Sequence, residues 1–245
     1  MPGLAAAFDQ HPGIWRGSEL ARPACPGIAS GFAALDAELP GGGWPCGALT
    51  EILPQHEGIG ELRILGPALA QLAAQGKFIA WIAPPYLPYA PALAAAGIAL
   101  ERVLIVKTAQ DSDSLWAAEQ ALRTTACGGV LAWPRRIGYT QLRRLQLAAE
   151  GSRCLALLFR PTQAAREPTP AALRIALATS AGGLALSILK RRGAPLSRPI
   201  FLPALSAPPL AAGSHPSPRD YAHVVDSPAP AAAAAGSVSA RLALA

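Results

Sequence analysis

Between an apolar run, Ala48 to Leu53, and a leucine-rich run beginning at Glu61 lies the loop Pro54-Gln55-His56-Glu57-Gly58-Ile59-Gly60-Glu61. A strand, a glycine-containing loop and a helix in that order is the setting in which backbone amides and a helix N-terminus hold phosphate. Phosphate transfer asks for more than glycines. The pattern G-x-x-x-x-G-K-[ST] adds a lysine for the β- and γ-phosphates and a hydroxyl for magnesium, and here Gly60 and Glu61 stand in those places. A charge-assisted bond from such a lysine is worth roughly 1.5 to 3 kcal/mol. A carboxylate about 4 Å from a phosphate oxygen adds a repulsion of about 4 kcal/mol at a surface-like dielectric. Two readings of the glutamates stay open at this point. Glu57 or Glu61 occupies the positive end of the following helix as the loop's own anion, or the pair is an ordinary acidic first turn. Both predict a degenerate phosphate loop (Gly58, Gly60, Glu61) that takes no ATP, no catalytic residue, no cofactor and no enzyme activity.

The elements around the loop follow from pattern. Ser30 reads as the cap of a short helix with Leu35 inward and Asp36 outward. Gly41, Gly42 and Gly43 form a corner before the strand Ala48 to Leu53. Glu61 to Gln75 reads as a helix with Leu62, Leu65, Leu69 and Leu72 on one face, followed by the strand Phe78 to Ala83. A helix around Pro91 to Ala96, a strand Val103 to Val106 and a helix Ser112 to Ala126 come next. The strand Gly128 to Pro134, the helix Thr140 to Glu150 and the strand Cys154 to Phe159 complete the alternation. Such alternation implies parallel crossovers and a doubly wound α/β sheet. Leu173 to Ala178 and Leu184 to Leu189, separated by Ser180-Ala181-Gly182-Gly183, read as a β-hairpin.

These residues carry a resemblance. Ser30-Gly31, Leu35-Asp36, Gly42-Gly43, Pro45, Gly47 and Glu51-Ile52 are similar to the segment leading into the phosphate loop of RecA recombinases. More closely, LDAELPGGGWP followed by GALTEIL and GIGEL resembles the ImuA family, the RecA-like accessory proteins of bacterial mutagenic translesion synthesis. RecA-like order continues to about residue 202. The resemblance implies a RecA-like, mostly parallel sheet flanked by helices, with a C-terminal β-hairpin, and the proline- and alanine-rich composition from about Pro203 implies a mostly disordered tail. Together they divide the chain into an N-terminal arm (1–29), a core (30–202) and a Pro/Ala-rich tail (203–245).

The same resemblance shows what is missing. Where RecA-type ATPases carry a water-activating carboxylate after the second strand stand Ala83, Pro84 and Pro85. Trp133 and Pro134 occupy the place of the magnesium aspartate, and Arg160 that of a nucleotide-sensing glutamine. The family implies a non-catalytic adaptor of SOS-induced translesion synthesis that works with ImuB and a DnaE-type error-prone polymerase, and the cations Lys190, Arg191 and Arg192 add the RecA filament as a candidate partner. A SulA-type cell-division inhibitor that binds FtsZ is the alternative.

Candidate contacts are few. Trp15 in the arm either touches a neighbouring subunit or folds back on its own domain. Arg135, Arg136, Arg143 and Arg144 stand where RecA places a DNA-binding loop, or form an ordinary solvated helix face with one aromatic, Tyr139. Lys190, Arg191 and Arg192 resemble the cations that RecA extends to an adjacent subunit's ATP, or are a solvated strand end. In the tail, Tyr221, His223, Val224 and Val225 form one docking patch.

Composition sets the frame. A chain of 245 residues with 51% hydrophobic content can build one sizeable core, and a net charge of +6 is compatible with nucleic acid or an acidic protein without specifying either. Cys25, Cys46, Cys127 and Cys154 form no C-x-x-C pair, so no sequence-local metal site is expected. No signal peptide or membrane-spanning run is legible, which predicts a cytoplasmic protein. The family adds nucleoid association during DNA damage.

Overall fold

The computed structural model describes residues 27–193, 196, 198–203 and, as backbone, 241–244. Its central strand is β1 (Ala48–Pro54), buried along six of its seven positions. A strand buried on both faces needs parallel neighbours and helices above and below it. On one side β1 pairs with β5 (Leu155–Phe159), and on the other with β6 (Leu173–Ser180), both parallel. Beyond β5 lie β4 (Cys127–Ala132), β2 (Phe78–Ile82) and β3 (Val103–Lys107), all parallel. Beyond β6 lie β7 (Gly183–Lys190) and β8 (Ile200–Pro203), each antiparallel to its neighbour. The last described strand, β9 (Arg241–Leu244), runs antiparallel along the outer edge of β3.

The crossovers place helices on both faces. After the single turn α1 (Ala33–Asp36), the helices α2 (Gly66–Ala74) and α3 (Ala90–Ala95) carry the chain outward from β1 through β2 to β3. Leu69, Leu72 and Leu93 then share one core with Ile52, Trp81 and Leu157. Helices α4 (Asp111–Arg123) and α5 (Tyr139–Glu150) bring it back through β4 to β5 on the other face. Leu115, Leu122, Leu142 and Leu145 pack there against Leu49, Val130 and Leu158. The architecture is therefore a mixed α/β fold with a mostly parallel sheet between two helical layers.

Several local expectations are corrected. The helix after the loop does not begin at Glu61: residues 61–65 are turns, and α2 starts at Gly66. Pro67 explains this, since a proline lacks the amide that would bond the carbonyl of Arg63 and its ring crowds that carbonyl. Ser30 does not cap α1, which begins after Phe32. Its Oγ accepts the Phe32 amide at 3.1 Å, while the Asp36 carboxylate returns to the Ser30 amide at 2.8 Å. The hairpin is longer than its pattern predicts, and β8 extends the sheet by a strand that alternation alone does not reveal. Within the tail, expected to be mostly disordered, residues 241–244 pair with β3.

The glycine corner fixes where β1 starts. Ile28 and Trp44 exchange backbone hydrogen bonds of 2.9 and 2.7 Å, bringing the chain before α1 against the chain after it. A Cβ at Gly43 would stand 2.3 Å from the Ile28 carbonyl oxygen, so only glycine permits this approach. Trp44 is thereby fully buried, under Leu35 and Leu39.

Candidate functional site

In an open α/β sheet, ligands bind in the crevice beyond the carboxyl ends of the parallel strands. Here that crevice is a cleft of about 990 Å³, walled by the segments that follow β1, β2, β3, β4 and β5.

The wall after β1 is the loop singled out in the sequence. Gly58 and Gly60 adopt φ of +79° and +106°. Glu61 is 8% exposed, and its carboxylate folds back onto the loop. Oε1 accepts the Gly58 amide and Oε2 the Gly60 amide, each at 3.1 Å. The backbone donors of a phosphate loop are thus already bonded to a carboxylate within the chain. Of the two open readings of the glutamates, the internal anion is the one observed, with Glu61 in that role and Glu57 exposed. The anion sits on loop amides rather than on a helix dipole, since α2 begins only at Gly66.

The wall after β2 is strained. Ala83 has φ +50°, a left-handed conformation costing an L-residue roughly 1 to 2 kcal/mol. Its amide donates to the Val106 carbonyl at 2.8 Å, and Pro84 and Pro85 follow. The side chains of these three residues offer no proton acceptor. After β4, Trp133 stacks on Phe159 with centroids 4.4 Å apart and planes 4° apart, and on Trp81 at 5.6 Å. An aromatic column therefore stands at the β4 strand end where RecA-type ATPases present a magnesium ligand.

Arg160 carries a role that the sequence did not disclose. Its Nη1 donates to Glu51 Oε1 at 2.9 Å and its Nη2 to Glu167 Oε2 at 2.5 Å, while Arg174 Nε donates to Glu51 Oε2 at 2.6 Å. Glu51 is 0% exposed, and both arginine side chains are 5% exposed. Arg174 Nη1 also bonds the carbonyls of Ala165 and Glu167 at 3.3 and 2.8 Å, leaving its Nη2 without a hydrogen-bond partner. Arg160 is thus held in a structural ion network that ties β1, β5 and β6 together. The available signal was Glu51 itself, a carboxylate in the middle of a strand read as buried, which must find cations.

The candidate contact residues divide. Arg135, Arg136 and Arg143 have exposed side chains, and the backbone amides of Arg135 and Arg136 donate to the Asp111 carboxylate at 3.0 and 3.2 Å. Arg144 separates from this group, because it pairs with Glu119 at 2.6 Å, a carboxylate that also holds Arg123 at 2.6 Å. The Lys190, Arg191 and Arg192 corner lies at the opposite end of the sheet from the cleft, since β7 runs antiparallel to β6 and Lys190 pairs with Arg174. Lys190 Nζ donates to the Thr169 carbonyl at 2.8 Å, and burial together with the Arg174 charge lowers its pKa against the pull of Glu51. Arg191 is held by the Glu38 carboxylate at 2.8 Å, and Arg192 is exposed. Trp15 and the patch Tyr221, His223, Val224 and Val225 lie outside the described residues. Among the described residues no cluster of three His, Cys, Asp or Glu side chains could hold a metal, and no helix is long and apolar enough to cross a membrane.

Comparison with known proteins points in two related directions. Residues 47–156 match the family model described as cell division inhibitor SulA. The chain is 32% identical over 100 residues to a cell division inhibitor SulA of Edwardsiella piscicida, covering 41% of this chain and 60% of that protein. It is 29% identical over 134 residues to protein ImuA of Caulobacter vibrioides, covering 53% of this chain and 55% of that protein. It therefore spans little more than half the length of these curated relatives. The crystal structure of SulA from Pseudomonas aeruginosa aligns with a TM-score of 0.39 at 24% identity, covering 46% of this chain and 97% of that one. Residues 47–156 are thus similar to SulA, and the chain is distantly related to both SulA and ImuA.

Proposed function

We propose that this protein is a non-catalytic, RecA-like adaptor of SOS-induced mutagenic translesion synthesis, working with ImuB and a DnaE-type polymerase. The observation that carries the non-catalytic part is the Glu61 carboxylate on the amides of Gly58 and Gly60. A nucleotide phosphate would have to displace a carboxylate already in place, with no lysine or loop hydroxyl to help it. The adaptor reading draws on the resemblance to ImuA and on β6, β7 and β8, which lie beyond the residues 47–156 matched by the SulA model.

A division inhibitor of the SulA type, acting on FtsZ, is the second reading, and the SulA match over residues 47–156 favours it. Both readings belong to the response to DNA damage. A pull-down of the full chain against ImuB, RecA and FtsZ separates them. Retention of ImuB or RecA without FtsZ supports the adaptor, whereas retention of FtsZ alone replaces it with the inhibitor. Calorimetric titration with ATP and magnesium tests the inert site, and micromolar binding that disappears on mutation of the Gly58 to Glu61 loop overturns it.

A further inference from the structure

At the end of the sheet remote from the cleft, a second pocket of about 190 Å³ opens between the glycine corner, the start of β1, the turn after α5 and the segment after Lys190. Pro40, Pro45, Ala172 and Leu173 give it apolar walls. Arg153 and Arg192 come to it from elements far apart in sequence, and both remain exposed. Neither makes an ion pair among the described residues, in contrast to Arg144, Arg160, Arg174 and Arg191. The acid on the same wall, Glu150, accepts a hydrogen bond from Gln146 of its own helix at 2.8 Å.

We infer that this pocket docks a carboxylate-bearing apolar segment of a partner protein. The carboxylate lies on the Arg153 and Arg192 guanidinium groups, and the neighbouring apolar side chain lies against Pro40, Pro45 and Leu173. A guanidinium presents a planar fork of donors that matches a carboxylate in two parallel bonds, and arginine recurs at the energetic centres of interfaces. The apolar walls select for peptide. A nucleic-acid backbone repeats its charge about every 3.4 Å per strand and requires a track of free cations. The neighbouring cations form no such track, since Lys190 donates to Thr169 and Arg191 to Glu38. The inference concerns the chemistry of the docked segment and holds whichever protein carries it.

The test pans a phage-displayed random dodecapeptide library on the full chain. The selected peptide is then measured by fluorescence anisotropy alongside a labelled 20-nucleotide single-stranded DNA. The variants are Arg153→Glu with Arg192→Glu, the corresponding double lysine variant, and Ala172→Trp, which fills the pocket without changing charge. All three are checked for an unchanged circular dichroism spectrum. Selected peptides should share an Asp or Glu beside Leu, Ile, Val or Phe. Affinity should fall at least tenfold on charge reversal and in Ala172→Trp, and less in the lysine variant. Three results overturn the inference: selection without a common carboxylate, peptide affinity unchanged by charge reversal, or binding of the oligonucleotide alone with loss of that binding in the same variant.

Discussion

Glu61 Oε1 and the backbone amide of Gly58 meet at 3.1 Å, so the loop that would receive a phosphate instead receives a carboxylate of its own chain. Glu61→Ala removes the acceptor for both the Gly58 and Gly60 amides and should cost about 1 to 3 kcal/mol in urea denaturation. It also opens an anion nest. Inorganic phosphate should therefore raise the melting temperature of Glu61→Ala and leave that of the native chain unchanged, and equal shifts in both would show that Glu61 does not occupy the loop. Gly60→Lys alone should restore no ATP turnover, because Glu61, Pro85 and Trp133 remain.

Glu51 compensates two buried arginines at once. Glu51→Gln leaves the charges of Arg160 and Arg174 in a dry site and should cost about 3 to 5 kcal/mol. Replacing the three together, Glu51→Leu with Arg160→Leu and Arg174→Met, should cost less than Glu51→Gln alone. Chemical denaturation of the single and triple variants measures the difference, and additive losses would show that the network is not a unit.

The thiols give a pH signature. Burial raises the pKa of Cys127 and Cys154 above the ordinary 9.0, and for Cys154 the neighbouring thiols add to the rise. A group whose folded pKa is raised contributes its full stability below the unfolded pKa and loses it as pH climbs toward the folded value. Stability should therefore fall above about pH 9, by up to roughly 1.4 kcal/mol per pH unit for each such thiol. Cys154→Ala should show a shallower decline. In the folded protein at pH 8, iodoacetamide should reach half-buried Cys46 well before Cys127 or Cys154. Equal rates would mean that β4 and the start of β5 open readily.

Arg144 and its neighbours should behave differently. The side chain of Arg144 is 63% exposed although its partner Glu119 is buried, so Arg144→Ala should cost no more than about 1 kcal/mol. If the chain binds single-stranded DNA through the β4–α5 segment, alanine at Arg135, Arg136 and Arg143 should weaken binding and flatten its salt dependence, while Arg144→Ala should leave both unchanged. Anisotropy titrations at several salt concentrations test the distinction.

Removal of residues 204–245 should preserve a cooperative melt. It strips β9 from the edge of β3, a four-residue pairing, so the melting temperature should drop by no more than about 4 °C. A larger drop would mean that the deleted segment contributes to the core.

Local pattern and loop composition made much of this protein legible from its residues alone. Runs such as Ala48 to Leu53 and Cys154 to Phe159 have the length and apolar content of buried strands, and their alternation with leucine-striped helices implies parallel crossovers. The absence of lysine and hydroxyl from the Gly58 to Glu61 loop is likewise a matter of side-chain chemistry that no fold can alter. What only the tertiary structure decided are the partnerships between distant residues. Nothing local says that Glu61 rather than Glu57 turns inward, because the choice depends on the positive φ of Gly58 and Gly60 and on a helix that Pro67 delays to Gly66. Arg160 and Arg174 meet Glu51 across 109 and 123 residues of chain, and Arg153 and Arg192 reach one pocket from opposite sides of β6 in sequence. Hydrophobic periodicity places a residue on a face, but the pairing of a charge depends on strand order and register. Both are set by how the whole sheet packs its two helical layers.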